Sequence, residues 1–422
     1  MYRDSLSTLS RFCVAAVLVS TLAAGALSLA PAADAPESPW PRHAVDDSSS
    51  GADGVRLADL NADGLPDITT GWEEGGRTCI YLNPGPAKAR KKWPTATIGK
   101  TPAVEDAVFA DLDGRGTLDV VSCCEGGEKT VYVHWGPADP KDCLEQEKWT
   151  QAALPASRDR MRWMFAMPVQ VDGENGMDLV AAGKGGNAQI GWFEAPENPR
   201  RLADWQWHPI SKAGWIMSLR SADMDGDGDR DILTSDRKGD MRGVRWLENP
   251  GPGAAQTKPW KNHYVGGRNA EVMFLDIGDL DDDDRPDIAC AAKGSPILLF
   301  LARSDQATGW EKATVPMPPN TGTGKGVAIE DIDGDGKPDL ALTCEHANGS
   351  RRGAMWLSYG SSPVSGQWTA RDISGPTGVK YDRIEMLDLD ADGDPDLLTC
   401  EEQARGGRGL GVIWYENPTA RE

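Results

Sequence analysis

The sequence predicts an all-β fold, a seven-bladed β-propeller of four-stranded blades closed by its own N-terminal strand, and three observations predict it. A ten-residue acidic motif recurs seven times at a near-constant spacing. Each copy lies between short apolar runs of strand character. The strand missing from the last unit is found at the other end of the chain.

The motif reads DLNADGLPDI from Asp59, DLDGRGTLDV from Asp111, QVDGENGMDL from Gln170, DMDGDGDRDI from Asp223, DLDDDDRPDI from Asp279, DIDGDGKPDL from Asp331 and DLDADGDPDL from Asp388. Successive starts lie 52, 59, 53, 56, 52 and 57 residues apart, a period long enough for four short strands. An apolar run precedes each motif (VFADL, IEMLDL) and a second follows it (DVVSCC, DLLTC). The third is represented by VYVHWGP, VRWLENPGPG and VIWYENP, and the fourth is led by tryptophan, as in KWPTATIG, WQWHPIS and PWKNHYVG. That fourth strand occurs six times after a motif, because the chain stops soon after VIWYENP. Residues 39–46, SPWPRHAV, place tryptophan three before histidine as WQWHPI does, and are expected to complete the seventh blade. The propeller is thus expected over 39–418, with blades starting near 51, 103, 161, 214, 270, 323 and 381. An open solenoid array would have a far shorter period and no displaced strand.

Alternating carboxylates repel one another unless a cation sits among them. Oxygen side chains at positions 1, 3, 5 and 9, with a backbone carbonyl at 7, suit Ca2+. An EF-hand is ruled out by Leu342 at position 12 of the Asp331 motif and by strand-like flanks in place of helices. Five motifs are expected to bind calcium, through Asp59, Asn61, Asp63 and Asp67; Asp223, Asp225, Asp227 and Asp231; Asp279, Asp281, Asp283 and Asp287; Asp331, Asp333, Asp335 and Asp339; and Asp388, Asp390, Asp392 and Asp396. The other two are expected to be metal-free, since Arg115 stands at position 5 of one and Gln170 at position 1 of the other.

These motifs, in their number and spacing, resemble the FG-GAP or VCBS repeat family, whose propeller is shared with the head of integrin α subunits. The literal FG and GAP tripeptides are absent, which favours the VCBS-like branch. The resemblance implies that ligands use the face opposite the calcium loops.

Composition agrees. The 422 residues carry a formal net charge of −21, with 16 Trp, 48 Gly and 29 Pro, as in a turn-rich β protein whose acidity is largely metal ligand. Nucleic-acid binding is disfavoured by that charge. Residues 1–32 have the layout of a secretory signal, with Arg3 and Arg11 before a long apolar stretch and a small-residue region, and 33–38 form a short flexible N-terminus. The mature chain is expected to be secreted, periplasmic or cell-surface, monomeric and without a membrane span. Eight cysteines become seven once Cys13 leaves with the signal, an odd number that cannot all pair internally.

On the opposite face, the turn after each second strand should present Glu73, Glu125, Lys184, Arg237, Lys293, Glu345 and Glu402, all charged, with glutamates on blades 6, 7, 1 and 2 and cations on blades 3, 4 and 5. Arg162, Trp215, Arg268, Lys380, Tyr381 and Arg383, near the starts of first strands, should reach the same face. Such a surface suits an acidic glycan or an extracellular protein. The main expectation is a binding or interaction module. The enzymatic alternative is a carbohydrate-active enzyme such as a polysaccharide lyase, with Tyr381 or His346 as base beside Arg383 and Lys380. A quinone-dependent dehydrogenase lacks support from any haem motif.

Overall fold

The computed structural model describes residues 38–256, 258, 260–304, 307, 309–403 and 409–418. The expected signal at 1–32 lies outside these residues. The described chain forms seven four-stranded antiparallel sheets, with chain-order pairing inside each of the first six. The first strands, innermost in the ring, are Ala52–Ala58, Val104–Ala110, Arg162–Pro168, Ile216–Ala222, Glu271–Gly278, Thr323–Glu330 and Tyr381–Leu387. Blade 7 is composite. Its strands Tyr381–Leu387, Asp396–Glu401 and Gly411–Tyr415 are completed by Arg42–Asp46, which pairs antiparallel with the third in a register placing His43 opposite Trp414. This pairing covers the outer edge of the last blade with chain from the other end.

Why these residues form strands is visible in the burial. The second strands, such as Asp67–Trp72, Asp119–Cys124 and Asp231–Asp236, are buried on both faces because blades pack against them from either side, so they read as continuous apolar runs instead of alternating ones. The tryptophans leading the fourth strands act as clasps. The indole N–H donates to a carbonyl a few residues upstream in Trp93 (Ala89), Trp149 (Cys143), Trp205 (Pro199), Trp260 (Ala255), Trp310 (Ala307) and Trp368 (Pro363). Each satisfies its one donor, with Trp93, Trp149, Trp205 and Trp260 buried and Trp310 and Trp368 half-buried. The tryptophan–histidine spacing has its own product: His208 and His263 stack on Trp192 and Trp246, His43 lies tilted against Trp414, and the three bond Glu194, Glu248 and Glu416 respectively.

All seven first strands break register near their starts, at Asp53/Arg56, Val104/Asp106, Trp163/Phe165, Ile216/Ser218, Val272/Leu275, Gly324/Gly326 and Tyr381/Ile384. Such a bulge re-aims side chains, here toward the axis. The seven described cysteines are buried and unpaired. Among the described residues no helix is long and apolar enough to cross a membrane.

Candidate functional site

Two rows of charge occupy the two ends of the ring. The acidic motifs form the turns between first and second strands, and all seven share one backbone shape. Positions 4 and 6 have positive φ in every copy: Ala62 and Gly64, Gly114 and Gly116, Gly173 and Asn175, Gly226 and Gly228, Asp282 and Asp284, Gly334 and Gly336, Ala391 and Gly393. Glycine takes this conformation freely, whereas Ala62, Asp282, Asp284 and Ala391 hold it under strain.

The position-nine aspartate does more than the sequence suggests. Asp231 accepts from the backbone N–H of Met224 at 2.9 Å and of Asn249 at 2.8 Å, tying the start of the loop to the end of the third strand. Asp67, Asp178, Asp287 and Asp396 repeat both bonds, Asp119 keeps the one to the third strand, and Asp339 the one to the loop. The bonds are present in the loops of blades 2 and 3 as well. Burial pushes Asp231 and Asp339 up to about 7 and Asp287 to about 6, against the pull of these N–H groups.

At positions 1, 3 and 9 the carboxylates converge. One oxygen from each of Asp223, Asp225 and Asp231 lies within 4.8 Å of the others, and the same holds for Asp279, Asp281 and Asp287 and for Asp331, Asp333 and Asp339. Buried oxygens without a hydrogen-bond partner point to a cation of this class, namely Oδ1 of Asp281 and of Asp390. The two loops with altered ligands fill the same space from within. Arg115 lays its guanidinium on Asp113, with Nε 2.8 and 2.7 Å from the two oxygens, and reaches Asp119 at 3.6 Å. Gln170 donates its amide to the carbonyls of Glu174 at 2.9 Å and of Gly176, at position 7, at 2.6 Å. A tethered donor, a guanidinium in one and a neutral amide in the other, thus stands at a ligand position of these two loops, whereas the converging oxygens of the others fit a hard cation. Two loops also have arginines at hand: Arg303 contacts Asp281 and Asp283, and Arg90 contacts Asp390. Asp394, buried at position 7 of the last loop, is a further acid that the sequence reading did not include.

At the other end, Glu73, Glu125, Lys184, Arg237, Lys293, Glu345 and Glu402 all line one axial cavity of about 320 Å³, one residue from each blade. Trp215 and Lys380 line it too. The cavity also takes residues from the first strands that sequence reasoning missed: Asp53, Glu105, Lys325 and Asp382, over an apolar lining of Met164, Phe165, Met217 and Phe274. Most of these sit at the bulges. The available signal was charge inside otherwise apolar strands, as in AVEDAVF and KYDRIEM.

The cations are not free, as a plain turn surface would leave them. Lys184 bonds Glu105 at 3.0 Å and Glu125 at 2.6 Å, Lys293 bonds Glu345 at 2.6 Å, Arg237 bonds Glu271 at 2.9 Å, and Lys380 bonds Glu402. Arg237 is only 8% exposed, and its guanidinium lies 4.6 Å from the centre of the Trp215 ring. Burial, with Glu125 and Glu73 nearby and Lys184 opposing, pushes Glu105 up to about 8. Burial and the Asp382 carboxylate push Asp53 well above the carboxylate range, while Lys325 holds Asp382 below it against the cost of burial.

Four other expected contacts fall elsewhere. Tyr381 is fully buried and bonded to the Tyr415 hydroxyl at 2.7 Å, because the bulge turns it into the interface between blades; burial pushes its phenol up to about 12. Arg383, one step past the bulge residue Asp382, points into a separate narrow space and bonds Glu385. Arg268 lies against Tyr264 and the Asp240 carbonyl, and Arg162 is exposed outside the cavity lining. His346 is exposed and contacts Thr323.

Comparison with known families agrees with this architecture. Residues 59–122, 171–234 and 279–342 match the FG-GAP-like repeat, each stretch beginning at or one residue beyond the start of an acidic motif. The described chain is thus a seven-bladed propeller carrying three FG-GAP-like repeats, consistent with an integrin-α-like FG-GAP propeller. A comparison with curated proteins returned no match.

Proposed function

We propose that the protein is an exported, calcium-braced binding module that receives its ligand at the axial cavity. The observation carrying this is that one charged turn residue from each of seven blades converges on a single cavity, which no individual blade requires for its own folding. Calcium would be held by the carboxylates of the loops in blades 1, 4, 5, 6 and 7. It would lock the hairpins at the far end and leave the cavity free for recognition. The lyase alternative loses its tyrosine base, since Tyr381 is inaccessible and its proton is held more tightly than in water. An acidic glycan would have to compete with Glu105, Glu125, Glu271 and Glu345 for the cations. Arg237 is best placed to be shared.

The test is a calorimetric and thermal-shift screen of the calcium-loaded chain against charged small molecules and acidic polysaccharides, repeated on Arg237→Gln and Glu73→Gln. A ligand lost in either variant supports the cavity as the site. Ligands that bind both variants like the parent refute it.

A further inference from the structure

The cavity charges are arranged along a diameter, and we infer that the site takes a zwitterion, with a carboxylate on Arg237 and an ammonium on the wall formed by Asp53, Glu73 and Glu105. This rests on the reading of the cavity as a binding site and adds the chemistry of its ligand. In a ring of seven, blade 4 stands opposite the junction of blades 7 and 1. Arg237 comes from blade 4, Asp53 and Glu73 from blade 1, and Glu105 from the adjacent blade 2. The flanks between the poles are neutralised by ion pairs across neighbouring blades, Lys184 with Glu125 on one side and Lys293 with Glu345 on the other.

Each pole has spare capacity. Arg237 uses Nε on Glu271, and its two Nη groups have no hydrogen bond among the described residues, although the side chain is more than nine-tenths buried and stacked on Trp215. A planar fork held in this way matches the two oxygens of a carboxylate. Across the cavity, one oxygen from each of Asp53, Glu73 and Glu105 lies within 4.8 Å of the others; Glu105 shares Lys184 with Glu125, while Glu73 has no ion pair among the described residues. Three convergent acceptors suit the three donors of an ammonium group. Asp382 and Glu402, beside them, are already engaged by Lys325 and Lys380. Between the poles, Met164, Met217 and Phe274 offer an apolar bed for a short methylene chain.

The experiment is calorimetry on the calcium-loaded full chain with a length series of glycine, β-alanine, γ-aminobutyrate and ε-aminocaproate, each compared with its N-acetyl and carboxamide forms and with methylammonium and acetate. One length should bind best, with both capped forms weaker by about tenfold or more. Arg237→Lys, which keeps the charge but loses the fork, and Glu73→Gln should each weaken it by a similar factor while leaving calcium-dependent melting unchanged. Failure of the whole series, equal binding of capped forms, or a bare cation binding as well as the amino acid would overturn the inference. An anion that binds through Arg237 regardless of Glu73 would overturn the zwitterion yet keep the cavity as a binding site.

Discussion

The two ends of the propeller carry one charged turn per blade, yet they use charge in opposite ways. At the motif end the sign is the same in every blade and the backbone shape is invariant. Compensation comes from outside the repeat of charge itself: from a cation the converging oxygens would fit, from arginines beyond the loop such as Arg303 and Arg90, or from Arg115 within it, while Gln170 simply removes one acid. At the cavity end the sign changes around the ring and compensation comes from the next blade, as in Lys184 with Glu125 and Lys293 with Glu345. Charge that repeats from unit to unit serves the unit. Charge that differs from unit to unit can only serve the ring.

The largest lesion should ignore this difference. Deleting residues 39–46 removes the fourth strand of blade 7 and the bond from Trp40 to the Ile373 carbonyl. The melting temperature should fall by more than about 10 °C, and calcium protection and cavity binding should be lost together. A truncated chain that melts like the parent would show that the ring does not depend on closure.

Next in size is an effect belonging to neither end. His134 is fully buried in blade 2. Its Nδ1–H donates to the Ile98 carbonyl at 3.3 Å and its Nε2 accepts from the Ser122 hydroxyl at 2.9 Å, a neutral tautomer, and burial lowers its pKa to about 4. The unfolded chain takes up this proton near pH 6.5 and the folded chain only near pH 4. Stability from His134 is therefore complete above pH 6.5 and lost as pH falls toward 4, by about 3 kcal/mol. Buried carboxylates such as Asp231 and Glu105 titrate in the same window with the opposite sign but are common to both chains, so denaturant melts should show parent and His134→Gln differing in their pH dependence by about this amount.

The motif end can be divided further. Asp178→Ala, in a loop read as metal-free, removes the acceptor for the N–H groups of Val171 and Ala195, and should cost about 2 kcal/mol equally in calcium and in chelator. Asp227→Ala, at position 5 of a calcium-type loop, should be costly in calcium alone. If both variants respond alike to calcium, the division between knot and ligand is wrong. The smallest effect concerns strain: Ala62→Gly and Ala391→Gly, at positive φ of 60°, should each stabilise by up to about 1 kcal/mol, read as a raised denaturation midpoint at unchanged slope.

The ring, its strand count and the charged turns at the cavity were legible because they repeat, and a residue offset counted in one unit holds in the next. Position nine was legible as an acid but not in its role. Its appearance in all seven motifs, including those with Arg115 and Gln170, was the sign that it serves the backbone whether or not metal binds. Asp53, Glu105, Lys325 and Asp382 were hidden because a bulge breaks the two-residue alternation that tells which face a strand residue takes. The same bulge sends Tyr381 into the interface between blades, where proximity in sequence had suggested the surface.

Each motif is expected to hold a cation unless one of its own ligand positions carries a substitute, as Arg115 and Gln170 do. Counting calcium bound per chain by equilibrium dialysis or native mass spectrometry, in the parent and in Arg115→Asp, tests it directly. The parent should bind about five ions, and the variant, which restores carboxylates at positions 1, 3, 5 and 9 of the second motif, should bind one more. Seven ions in the parent, or a variant that gains none, would contradict it.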